Sequence, residues 1–134
     1  MTAYATLTDL YAYGLPLVAM GSVSVGTQQT ILDGRNDYAD DKLRARYKLP
    51  LQAPYPVSLK QNICMLAAWD ILVCRGYNPA AGADINIADR GAMAMKWFED
   101  VERQRCHPNV IEDGGPETIG YEAPLVISKE QQGW

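Results

Sequence analysis

The chain has one histidine and three cysteines, with no CxxC pair among them, so the side chains that most often build nucleophile–base pairs or tetrahedral zinc sites are nearly missing. His107 lies between Cys106 and Pro108 at an expected helix end, and adjacent helical residues point away from each other. That makes them a poor Cys-His dyad, and a structural or surface role is the expectation. Cys64 and Cys74 fall on one expected helix, about 15 Å apart along its axis, against the ~7 Å limit for bridged Cα atoms. The three thiols therefore read as reduced and cytoplasmic. No run of eighteen apolar residues exists, and the start lacks the basic and apolar stretches of a secretory signal. The expectation is a soluble protein with no membrane partner.

Positive charge is also in short supply. Twelve Lys and Arg stand against 16 Asp and Glu, giving a net charge of -4 and a pI near 4.9, which disfavours a protein whose main partner is nucleic acid. The glycines of GSVSVG (21–26) lack the GK[ST] of a phosphate loop. Asp9, Asp33, Asp37, Asp40 and Asp41 lack the alternating ligand pattern of a calcium loop and read as solvated helix ends and faces. No catalytic, cofactor-binding or metal-binding residue is assigned.

What is present is helical pattern. At 134 residues, 48% hydrophobic and 21% charged, the chain fits one globular domain. Thr6 with Asp9 resembles a capping box opening a short helix over 7–13, which Gly14 and Pro16 would end. Residues 17–27 are small and apolar and read as a loop or weak hairpin. Ile31, Leu32, Tyr38, Ala39, Leu43 and Tyr47 are spaced along one face of a helix over 28–47. Lys42, Arg44, Arg46 and Lys48 suit the negative end of its dipole.

Pro50, Pro54 and Pro56 then make a stiff connector. The next helix opens with Pro56 in its first turn, ends at Gly76, and is apolar nearly all round, as a central buried helix should be. Asp84 or Asn86 is the candidate cap of a fourth helix whose apolar face is Ala88, Ala92, Met95, Phe98 and Val101, with Trp97 beside them. The expected fold is therefore all-α: a small bundle of three main helices plus a short N-terminal one, with an irregular or hairpin insertion. A helical domain over 1–108 is followed by an extended arm over 109–134, where a Gly-Gly-Pro break interrupts any period.

One charged residue lies inside the apolar third helix. Asp70 follows Leu66 and Ala67, and burying its carboxylate unpaired would cost several kcal/mol in order of magnitude. Arg46 or Arg44, at the end of the preceding antiparallel helix, is the expected partner, in a structural ion pair that turns back across the proline corner.

The stretches YATLTDL, RARYKLPL, YPVSLKQNICMLAAWDIL and AMKWFEDV together resemble a family of small proteins encoded beside the capsid genes of Mu-like phages and prophages. The family is a domain of unknown function, similar to the head-completion and head-tail connector proteins of tailed phages. The resemblance covers roughly residues 4–106 and is most specific at Arg46, Tyr47, Leu49, Pro50, Leu51, Pro56, Asp70 and Ile71. It implies a structural, non-enzymatic protein, assembled in the host cytoplasm and placed at the virion neck. Such a protein docks as a homo-oligomeric ring, commonly dodecameric, between the portal protein and the tail or its terminator or stopper protein, with genomic DNA passing through without sequence-specific binding. Tyr121, Leu125 and Trp134 of the arm are then the candidate anchors on a neighbour. The competing readings are a small helical DNA-binding or regulatory protein using Lys42–Lys48, and an enzyme with a site the sequence does not display.

Overall fold

Thr6 opens the first helix as its spacing from Asp9 predicts: the Asp9 amide donates to Thr6 Oγ1 at 3.4 Å and the Thr6 amide donates back to Asp9 Oδ2 at 3.0 Å. The computed structural model describes residues 3–76 and 82–112. Helix α1 (Leu7–Asp9) runs directly into a π-helical turn, Leu10–Gly14, closed by the Leu15 amide donating to the Leu10 carbonyl at 3.0 Å. A Cβ on Gly14 would lie 2.7 Å from the Cys64 carbonyl oxygen, so only glycine lets the widened turn rest on the backbone of the second long helix.

The following segment is not a hairpin. Leu17–Ala19 is a single 3-10 turn after Pro16, and Gly21 reverses the chain at φ 63. Ser24 then accepts the Thr27 amide at 3.2 Å and starts α2 (Val25–Leu43), earlier than the apolar period suggests. Helix α2 also stops short of the expected Tyr47. The Arg46 and Tyr47 amides both return to the Leu43 carbonyl and close its end.

Helix α3 (Val57–Arg75) has the expected limits, with Pro56 at the capping position rather than inside the first turn and Gly76 at φ 117 after the end. It buries eight residues, among them Leu59, Ile63, Leu66, Ile71 and Leu72, each of which contributes about 1.5–3 kcal/mol on leaving water. By length and composition α3 is able to cross a bilayer; in this fold it is the central helix, packed against α2, the π-turn and α4 (Gly82–Glu102). Arg75 at the end of α3 pairs with Asp84 at the start of α4 and Trp69 meets Gly91 further along, while the link over 44–56 joins α2 to α3 and Arg35 meets Asp70 at mid-height, so α3 runs antiparallel to both neighbours. Among the described residues the fold is all-α, without strands.

Three sequence expectations are corrected by burial. Asp84 is a buried side chain bonded to Arg75 within α4, which starts at Gly82, so neither Asp84 nor Asn86 caps the helix. The buried face of α4 is Asp84, Gly91, Ala94, Phe98 and Val101, whereas Ala92 and Met95 are exposed and Ala88 is half-buried. Asp40 is not solvated but buried, accepting a hydrogen bond from the Tyr4 hydroxyl. Asn36, four residues earlier, bonds both the Ala5 amide and its carbonyl at 3.1 Å. The inner face of α2 therefore carries polar side chains whose partners are the N-terminal segment.

Two glycines should respond in opposite directions to the same change. Gly14→Ala forces a Cβ against backbone and should lower stability by about 1–3 kcal/mol. Gly34→Ala, in mid-helix with open space around it, should raise stability by about 0.5–1 kcal/mol. Urea unfolding of the two variants checks both signs.

Candidate partner-binding site at the corner of the bundle

Asp70 has a cation, but not the expected one. Arg35 Nε lies 2.5 Å from Asp70 Oδ2 and Nη2 lies 2.8 Å from Oδ1, a bidentate pair in which both side chains are mostly buried. The hydrogen bond to Asp70 raises the Arg35 pKa further, against the lowering effect of burial. Arg44 pairs instead with Asp41 at 3.2 Å on the surface. Arg46 is also elsewhere, for a reason of register. Asp70 lies thirteen residues past the start of α3, about 20 Å along its axis from the corner, farther than an arginine at the corner reaches. The antiparallel register of two nineteen-residue helices brings mid-α2 to mid-α3, and this was the available signal for Arg35.

Around that pair the three main helices share one seam. The Arg35 guanidinium and the Lys42 amine lie 5.2 and 5.6 Å from the Tyr38 ring centroid, and Tyr38 packs edge-on against Phe98 of α4 at 5.5 Å. Lys42 then reaches Glu102 at 3.3 Å. Positions 35, 38 and 42 of α2 thus tie it to an acid on each of its neighbours.

The basic run ends in the proline corner. Arg46 Nη1 donates to the Val101 carbonyl and Nη2 lies opposite His107 Nδ1, both at 3.3 Å, while the guanidinium sits 5.4 Å from the Tyr47 ring centroid. Burial is the chief cause of the raised Tyr47 phenol pKa. The Lys48 amide donates to Glu112 Oε1 and the Gln52 amide to the Ile111 carbonyl, each at 2.8 Å. The folded body therefore extends past residue 108, to at least Glu112. Leu51 is buried beneath the link, and Tyr55 packs edge-on against Tyr4 at 4.9 Å. The corner gathers the ends of α2 and α4, the proline link, the start of α3, the N-terminal segment and residues 106–112.

Tyr121, Leu125 and Trp134 lie outside the described residues. His107 is exposed and contacts Arg46, and no group of three His, Cys, Asp or Glu side chains among the described residues is placed to hold a metal. Cys64 and Cys74 are free thiols, one buried and one exposed. Burial pushes the Cys64 thiol up to about 12, with Asp9 adding to the effect. Compared with family models, curated proteins and solved structures, the chain matches none of them.

The ion pair predicts an asymmetric alanine series: Arg35→Ala, which strands the Asp70 carboxylate, should cost about 1–3 kcal/mol. Arg44→Ala should stay within about 0.5 kcal/mol. Chemical denaturation of both variants distinguishes this pairing from one centred on the corner.

Cys64 gives a pH prediction. The fold accepts the neutral thiol, so the stability that depends on it is complete below pH 9.0 and is lost as the pH rises toward about 12. A thiol reagent at neutral pH should label Cys74 at once and Cys64 only on unfolding, and Cys64→Ala should flatten the alkaline fall in stability.

Proposed function

We propose that this chain is a structural protein of a tailed-phage virion, a head-completion or adaptor protein that docks as a ring on the portal and joins head to tail. The observation that carries the reading is the corner. The stretches with the most specific resemblance to the Mu-like head-proximal family, RARYKLPL and the start of the following helix, form the one place where segments from all parts of the described chain are fastened together.

A ring explains why such a corner is useful. An angular error in one subunit repeats at every interface, so closure demands a fixed angle between the elements that contact neighbours. The seam from Asp70 through Arg35, Tyr38 and Lys42 to Glu102 fixes the helices against one another at mid-height, and the corner fixes their ends.

The far end of α3 has a different character. There Arg75 donates to the Ala19 carbonyl at 3.1 Å and holds the 3-10 turn, on which Leu17 and Val18 are 55% and 94% exposed. An apolar tip at one end and a hydrogen-bonded corner at the other suit a protein with one partner at each end, portal and tail protein. Two of the four cations expected for DNA contact are engaged within the chain, Lys42 with Glu102 and Arg46 with Val101 and His107, while Arg44 and Lys48 are exposed. That weighs against the regulatory reading.

Adding the purified full chain to DNA-filled, tailless heads that lack it should restore their joining to purified tails. Failure of a folded chain to restore joining overturns the assignment. Replacing Tyr121, Leu125 and Trp134 together with alanine in the full chain should reduce joining about tenfold or more if they anchor a neighbour.

A further inference from the structure

The apolar surface of α4 is wider than the bundle covers. Ile85, Ala88, Ala92 and Met95 are separated by three, four and three residues, which places them within an arc of about 80° beside the buried face. Ile85 is 40% and Met95 42% exposed, Ala92 is exposed and Ala88 half-buried. The stripe ends in Glu99, which is exposed in line with it, and one edge is flanked by Asp89 and Lys96.

Those charges select an occupant. We infer that the stripe is the contact of an antiparallel, two-fold dimer of this chain, in which α4 of one copy packs on α4 of another with Ala92 at the crossing point. A two-fold axis through Ala92 brings the same edge of both helices together, so Asp89 of each copy lies level with Lys96 of the other. Both ends of the contact thereby gain an opposite-charge pair. Parallel two-fold pairing would instead put the Asp89–Lys96 edges of the two copies on opposite sides of the seam, where neither pair can form.

Two further features fit that geometry. The small side chains of Ala88 and Ala92 let the helix axes approach closely at the crossing. Glu99 lies seven residues from Ala92, and so reaches the first turn of the partner's α4, where the positive end of the helix dipole favours a carboxylate. Asp89 makes no ion pair among the described residues, and the Lys96 side chain is 72% exposed in its contact with Asp100, so both are available to a second copy. The inference goes beyond the head-completion reading and does not use the corner.

Reciprocal charge reversal tests it on the full chain by sedimentation equilibrium, with circular dichroism as the check that helix content is kept. The unmodified chain should show a reversible monomer–dimer equilibrium. Asp89→Lys and Lys96→Asp should each weaken the dimer about tenfold or more, because both copies of the pair become repulsive. The double variant should regain an affinity within about threefold of the original, since it restores opposite charges at both ends. A chain that stays monomeric, a larger closed ring, or a dimer indifferent to the reversals overturns the inference. None of those results bears on whether the chain restores tail joining.

Discussion

The covering of α3 is the constraint that organises the rest of the molecule. A nineteen-residue helix that is apolar on almost every side needs neighbours all round, and the described chain has only two other long helices to offer. The remaining side is closed by the π-turn. Its widened ring puts Gly14 directly on the Cys64 carbonyl, and Gly91 of α4 meets Trp69 closely enough that a Cβ there would lie 3.1 Å from the Trp69 Cβ. Helix α3 is thus held at two points by residues that have no side chain, and close backbone approach replaces the helix a larger bundle would use.

The polar residues inside follow from the same shortage. Helix α2 buries Gln28, Asn36 and Asp40 along with Leu32 and Leu43, so part of its inner face is amide and carboxylate. The N-terminal segment lies over that face: Tyr4 on Asp40, the Ala5 backbone on Asn36, and Tyr11 on Gln28. Side chains that would be costly if buried alone become the attachment for a segment with little regular structure of its own.

How much of this could be read beforehand depended on whether the cause was local. The limits of α3, the capping box at Thr6 and Asp9, and the all-α architecture were legible, because proline, glycine and hydrophobic period act within a few residues. The start of α2 was missed because its cap, Ser24, sits among small apolar residues that resemble a loop. The inward polar face of α2 was invisible, since its partners in the N-terminal segment are 17 to 36 residues away. The apolar face of α4 was read about one position too far round: alanine and methionine count as hydrophobic in any pattern, while Gly91 and Asp84 do not. Their burial comes from Trp69 and Arg75 on the helix opposite. Arg35 was overlooked in favour of cations nearer the corner, although the register of a helical hairpin favours a partner at mid-height.

The sequence separations within the corner carry a consequence for how the chain folds. Arg46 and Val101 are 55 residues apart, Arg46 and His107 are 61 apart, and Lys48 and Glu112 are 64 apart. The α2–α3 hairpin closes a short loop, but these contacts need α4 already in place, and closing the longer loop costs more entropy. The corner is therefore among the last features to form. Any partner that bound there would discriminate finished molecules from folding intermediates, because a chain with α4 undocked lacks the contacts that build the corner.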